Sequence, residues 1–313
     1  MAITASQVKE LREMTGSGMM DCKKALTASN GDIEKAVEWL REKGLATAQK
    51  KASRIAAEGV SMAVVSSDNK KAVVVEVNSE TDFVAQNEKF RNYVRKVAEH
   101  ALDTAAQTVE SFLQQTSRVD PSKTVEEALA AQIAVIGENL KIRRFQQVSE
   151  ENGIVVAYTH MGGKIVAIVD LESDVDNEAV REIGKNVAMQ VAALRPQYTS
   201  ADEVPQDFKD HEIEILTKQI QEDPKMAGKP EKVIAGAVQG RLNKELKEIC
   251  LLDQVYVKAE DGKQTVAQYV AQAGKEAGAN VKVKGFIRFE TGEGLEKKNE
   301  DFAAEVAAQM AGN

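Results

Sequence analysis

Apolar positions follow a helical period at the start of the chain, then strand-like runs, then a helical period again. Thr4 and Gln7 form a capping-box pair, so a helix is expected from Ala5 with Val8 and Leu11 inward. Thr15-Gly16-Ser17-Gly18 breaks it and Met19 to Leu26 reads as a second helix. Asn30-Gly31-Asp32 leads into a third, with Ile33, Ala36, Val37 and Leu40 at helical spacing and Gly44 expected to stop it. Three such helices share one small core, residues 1–45, and the charged, Ala-rich stretch 46–58 reads as a helical linker.

The middle of the chain repeats itself. Gly59 opens a strand (VSMAVV), a polar turn over Ser66 to Lys70 leads to a second (AVVVEV), and a helix is expected from Glu88 to Leu102. Gly153 opens the same order again, with strands at Ile154 to Tyr158 and Ile165 to Leu171 and a helix over Asn177 to Leu194. Two α+β units of like plan follow: residues 59–150, and a second unit made of 151–198 and 253–294. Between them, Asp103 to Ser122 is polar and poorly periodic and reads as a surface insertion, whereas Val125 to Leu140 is helical.

Segment 199–252 interrupts the second unit. Phe208 to Gln221 and Glu231 to Ile249 carry apolar stripes on either side of DPKMAGKP, the pattern of an antiparallel helical hairpin. A strand at Val281 to Phe289 and a helix at Asp301 to Gln309 are expected last, the helix belonging to a C-terminal module over 295–313.

Composition narrows the class. The 313 residues suffice for several domains, and 41 basic against 49 acidic side chains give a net charge of -8, which opposes general attraction to nucleic acid or an anionic membrane. Cys22 and Cys250 are too few for a disulfide framework and read as buried thiols in a reducing cytoplasm. No apolar run approaches the length of a membrane span.

The usual marks of catalysis are missing. Gly16-Ser17-Gly18 and Gly292-Glu293-Gly294 lack the third glycine of a dinucleotide loop, and Gly162-Gly163-Lys164 lacks the upstream glycine of a P-loop. His100, His160 and His211 lie in different elements, which gives neither a metal set nor a nucleophile triad. The expectation is a protein that is not an enzyme, takes no cofactor and acts through contact surfaces. The feature that asks for explanation is Thr81-Asp82-Phe83-Val84-Ala85-Gln86-Asn87, where a large aromatic follows an aspartate just beyond the end of a strand.

Five motifs, TGSGMMDCKKAL from Thr15, TDFVAQNEKF from Thr81, IGENLKIRR from Ile136, FIRFETGEG from Phe286 and DFAAEVAA from Asp301, resemble those of bacterial elongation factor Ts and occur in its order across almost the whole chain. The resemblance implies an α+β fold: an N-terminal three-helix ubiquitin-associated-like domain, a core of two repeated α+β subdomains, an inserted coiled-coil-like hairpin for dimerisation, and a C-terminal helical module. It implies a cytoplasmic guanine-nucleotide exchange factor that binds elongation factor Tu, GDP-bound or nucleotide-free, and releases GDP during translation elongation, with no direct contact to nucleic acid. It leaves two arrangements open: the hairpin pairs with a second copy, as a homodimer or a 2:2 complex, or lies against the partner.

By the same resemblance Thr81, Asp82, Phe83 and Val84 intrude near the partner's Mg²⁺ and nucleotide, and Arg12, Met19, Met20, Ile136, His160, Val257 and Met310 contact the partner elsewhere. Adjacent methionines cannot both face inward on one helix, which independently favours contact for Met19 and Met20. Val255, Tyr256 and Lys258 depart from the family's pattern around Val257, and Met310 stands one place later than the family's methionine. Two rival readings are an adaptor for ubiquitin-like folds, which gives the TDFVAQN stretch no use, and an enzyme with its site between the repeats.

Overall fold

The computed structural model describes residues 3–226 and 228–296; Met310 and the helix expected over Asp301 to Gln309 lie outside them. The chain opens with α1 (Ala5–Thr15), α2 (Met19–Ala28) and α3 (Ile33–Lys51), packed around Leu11, Cys22, Ala25, Leu26 and Ala36. The Thr4 and Gln7 capping box is present, and Gly16 ends α1 at φ 67°. Gly44 does not stop α3. Its backbone is not in the left-handed region, and a Cβ there would make only an ordinary 3.6 Å contact with the Ala130 carbonyl oxygen, so nothing at this glycine breaks the helix. The helix therefore runs on to Lys51.

Two three-stranded antiparallel sheets follow. The first orders β1 (Glu58–Val65), β2 (Lys71–Ser79) and β3 (Lys141–Ser149); the second orders β4 (Gly153–His160), β5 (Ile165–Ser173) and β6 (Val281–Glu290). β2 and β5 are the central strands, and one face of each meets helices. Val73, Val75 and Val77 pack under α5 (Glu88–Leu102) and α7 (Val125–Ile136). Ala167, Val169 and Leu171 pack under α8 (Glu178–Leu194) and α11 (Val266–Glu276). On the opposite faces Ala72 and Val74 meet Val155, Val166, Ile168, Ile287 and Phe289, so the sheets close against each other. A strand buried on both faces has no polar alternation to show, which is why AVVVEV reads as a continuous apolar run.

Each third strand carries one extra residue. Val77 pairs with Ile142 and Glu76 with Arg144, leaving Arg143 out of register; Leu171 pairs with Val283 and Asp170 with Gly285, leaving Lys284 out. Both extra residues are basic, and each meets an acid at the sheet interface. Arg143 bonds Glu76 at 3.0 Å and Lys284 bonds Glu150, next to Asp170, at 2.6 Å. A bulge of this kind turns a side chain out of the alternation and toward a chosen partner.

The two acids are neutralised unequally. Glu76 is fully buried, yet its hydrogen bonds from the Gly292 amide, Arg144, Asn78 and Arg143 outweigh that burial and hold its carboxyl below the usual range. Burial instead pushes Asp170 up to about 7, with Glu150 beside it adding to the rise and Lys284 opposing it.

Segment 103–122 is not a simple surface insertion. It forms α6 (Val109–Leu113), and Phe112, fully buried, packs in tilted contact with His100 at 4.9 Å and Phe145 at 5.3 Å. Ala106 is buried with it, and Val109, Leu113 and Val119 pack on the same core, spaced among the polar turn residues without a strand or helix period. The stripes of α9 (Gln206–Glu222) and α10 (Glu231–Ile249) bury Leu216, Ile220, Val238 and Leu242 against each other as an antiparallel hairpin. Cys22 and Cys250 are free and buried, Cys250 lying just past the end of α10. No helix among the described residues is long and apolar enough to cross a membrane.

Two outcomes are expected. Phe112→Ala should lose about 3 to 5 kcal/mol in chemical denaturation, as truncation of a packed core phenylalanine does. For Asp170, a folded pKa raised above the unfolded value means its stabilising contribution is complete below the unfolded pKa of about 3.9 and is lost as pH rises through about 7. Asp170→Asn, which stays neutral and can donate to Glu150, should melt above the parent at pH 8, with the gap closing as pH falls to 5.

Candidate functional site: a clasped helix beyond the first sheet

The two repeats differ at one end. After β2 and β5, Ser79 bonds the Thr81 carbonyl at 2.9 Å and Ser173 bonds the Val175 carbonyl at 2.8 Å, so both turns start alike. In the second unit Asn177 then caps α8, with residues 174–176 between. In the first unit Asn87 caps α5, with residues 80–86 between, and the longer connection forms a helix of its own, α4 (Asp82–Gln86). The helix that TDFVAQN forms ahead of its asparagine cap is thus the part of the repeat that one copy has and the other lacks.

α4 is attached on two sides. Ala85 is buried and Val84 packs on the first core, which leaves Asp82 and Phe83 outward. Phe83 is 82% exposed, the most exposed of the chain's large apolar side chains among the described residues. On the other side the Glu138 carboxylate accepts from the Glu80 and Thr81 amides, each at 3.1 Å, and from the Thr81 hydroxyl at 2.6 Å. The Thr81 oxygen in turn caps α4 at the Val84 amide, 3.4 Å away. Glu80 returns the contact by accepting from the Asn139 amide at 2.6 Å, and Asn139 donates to the Arg54 carbonyl at 2.8 Å. Lys51 reaches the Gly137 carbonyl at 2.5 Å, so the exit of α3 joins the same clasp.

The clasp brings half-buried Ile136, at the end of α7, beside the 81–84 turn. Arg12, Met19 and Met20 stand exposed on α1 and α2, the methionines at 59% and 63%. His160 is exposed at the end of β4, its Nδ1 3.1 Å from the Tyr158 hydroxyl. Val257 is exposed ahead of α11, its amide donating to Gln190 at 2.8 Å. Among the described residues no hydrogen bond or ion pair links these three groups to the 81–84 turn or to one another.

Sequence reasoning did not single out Met14, Val135, Met161 or Val255, which are also exposed. Their signal is adjacency, since each lies within two residues of a residue that it did single out. Nor did it single out the Glu138 carboxylate, although Glu138 lies inside IGENLKIRR. No group of acidic, histidine or cysteine side chains that could hold a metal occurs among the described residues.

A duplicated α+β core that sets exposed apolar side chains on separate elements defines a class of protein with several candidate contact surfaces. A family model described as Elongation factor TS matches residues 80–293. Proteins named Elongation factor Ts are similar over nearly the whole chain. Those of Clostridium tetani and Clostridioides difficile are each 50% identical over 308 residues, 98% of this chain and 99% of theirs. One from Clostridium botulinum is 48% identical over the same length and shares. The chain belongs to the elongation factor Ts family.

Exposure assigns Phe83 no part in holding the fold. Phe83→Ala should shift the unfolding free energy by no more than about 0.5 kcal/mol, as surface substitutions do. A thermal melt of the two proteins side by side checks it, and the loss expected for Phe112→Ala supplies the scale.

Proposed function

We propose that this chain is a cytoplasmic guanine-nucleotide exchange factor that binds elongation factor Tu and speeds loss of its GDP during translation elongation. One observation supports this above the others: a large aromatic, beside an aspartate, is held outward on a clasped one-turn helix where folding alone gives it nothing to do. On this reading Asp82 and Phe83, flanked by Thr81 and Val84, enter the partner near its Mg²⁺ and nucleotide. Displacing the groups that hold Mg²⁺ leaves the diphosphate charge poorly compensated, and GDP leaves. The coupling is reciprocal, so bound GDP weakens the factor's hold by the same free energy and each can replace the other.

The other exposed residues supply grip. Arg12, Met19 and Met20 form one contact from a ubiquitin-associated-like N-terminal domain, Ile136 and His160 a second, and Val257 a third, with Met310 in the C-terminal module. The α9–α10 hairpin supplies a further surface, which either pairs with a second copy, as a homodimer or a 2:2 complex, or lies against the partner. Grip and action separate because only an interaction made more strongly in the reactive state accelerates the step.

The expected outcome is that substoichiometric amounts of this chain accelerate release of a fluorescent GDP from purified elongation factor Tu, while the chain alone hydrolyses no GTP. Phe83→Ala should lower the maximal release rate more than it lowers affinity for nucleotide-free partner, and Met19→Ala should do the reverse. Release that stays at its spontaneous rate over a wide range of added factor would refute the reading.

A further inference from the structure

We propose that Glu138 is a positioning residue for exchange: its carboxylate fixes the angle and rigidity with which α4 presents Asp82 and Phe83. The inference rests on the intrusion reading above and adds to it a residue that touches neither nucleotide nor partner.

α4 is five residues long, too short to hold its conformation unaided. Its inner attachment is small: Ala85 and the half-buried Val84 pack on the first core, and Arg91 donates to the Ala85 carbonyl at 3.4 Å. These contacts act on the C-terminal half of α4, after Asp82 and Phe83. The outer attachment is polar and directional. Glu138 Oε2 accepts two successive amides, those of Glu80 and Thr81, and Oε1 accepts the Thr81 hydroxyl. Those amides lie past the end of the β2–β3 pairing, which stops at Asn78 with Lys141, so no strand partner is there to take them.

The carboxylate is itself fixed. It stands between Gly137, which closes α7 at φ 87° and whose carbonyl Lys51 holds, and Asn139, whose amide Glu80 holds. Two points define a hinge, and a third, off the axis, removes it. With Glu138 cut back to alanine, α4 keeps its apolar point and its cap but loses the off-axis restraint. Phe83 would then have to be ordered at the moment of contact, a cost drawn from the interaction that should expel the nucleotide.

The experiment measures GDP release from elongation factor Tu over a range of factor concentrations, for the parent, Glu138→Ala, Glu138→Gln, Phe83→Ala and the Glu138→Ala/Phe83→Ala double variant. Glu138→Ala is expected to lower the maximal rate about tenfold, as loss of a positioning contact does. The half-saturating concentration should move by less than about twofold, because Arg12, Met19, Met20, His160 and Val257 stand apart from the clasp and only Ile136 adjoins it. Glu138→Gln should keep more than half the parental rate: its amide oxygen can accept both amides and its NH₂ can donate to the Thr81 oxygen. The double variant should lose less than the product of the two single losses, since only Asp82 is then left to position.

A purely structural role predicts otherwise, with additive losses in the double variant and a fall in melting temperature unaccompanied by any fall in rate per folded molecule. Either result overturns the inference. Should Glu138→Ala melt below the assay temperature, Glu138→Asp, one methylene too short for both amides, takes its place with the same expectations. A parental rate in Glu138→Ala alongside a reduced rate in Phe83→Ala overturns the inference and leaves the intrusion reading standing. A parental rate in Phe83→Ala removes both.

Discussion

Each sheet has helices on one face only, and that constraint shapes the rest of the molecule. Three strands with an apolar strip on the open face must cover it, and the nearest matching surface is the open face of the other sheet. Ala72 and Val74 therefore meet Val166 and Ile168, making a helix, sheet, sheet, helix stack from two copies of one plan. Contact continues to the edges through hydrogen bonds, with the Ser61 hydroxyl 2.8 Å from that of Thr291 and the Thr291 hydroxyl donating to the Gly163 carbonyl at 2.9 Å. At Gly163, φ 101°, a Cβ would fall 2.3 Å from a Val60 methyl group, so the turn after β4 can lie on β1 only without a side chain.

Closing two sheets face to face leaves a problem where the strips end, and charge solves it differently in the two copies. Glu76 and Asp170 stand at equivalent places, one residue before the step in register. Two guanidinium groups, an amide side chain and a backbone amide surround Glu76, so a buried charge is satisfied on every side. Arg143 and Arg144 also reach the carbonyls of Glu293 and Glu290, which ties the end of β6 to the first sheet. Asp170 has a single lysine to share with Glu150, and one of its oxygens has no hydrogen-bond partner. Glu76 is thus held below the usual carboxylate range, whereas burial and Glu150 push Asp170 up to about 7, so the second fastening is the one that responds to pH.

Most of the architecture could be read along the chain because each unit advertises its own period. The valine run of β2, the stripes of α5 and α8 and the paired stripes of α9 and α10 all appear at or near the expected places. β3 could not be read that way. Ile142 and Phe145 both face the helices although three residues apart, because Arg143 bulges out between them, and a spacing of three in a strand imitates a helix. Phe112 hides among turn residues. The segment between Cys250 and Val281 carries no predicted element, yet the Thr265 and Gln268 capping box of α11 was there to be seen. Phe83 could be singled out through its motif, and the structure holds it outward, 82% exposed. Glu138 was not legible, since its bonds span more than fifty positions and no local pattern predicts such a contact.

Duplication explains why the candidate site can be extreme without endangering the fold. In the second unit the connection from β5 to α8 is short and complete, which shows that the plan needs nothing more than a serine turn and an asparagine cap. What is added between Ser79 and Asn87 in the first unit goes beyond that plan: Val84 and Ala85 seat it on the core, while the outward Phe83 need satisfy no partner within the chain. What the addition does require is satisfaction of the extra backbone amides, because an unpaired one near a core costs far more than an exposed ring. Glu138 meets that requirement with an acceptor that comes from outside the repeat's own turn. A projecting aromatic is then compatible with a stable scaffold only while the amides behind it stay bonded, so the residue that presents it is bound to the fold more tightly than the residue presented.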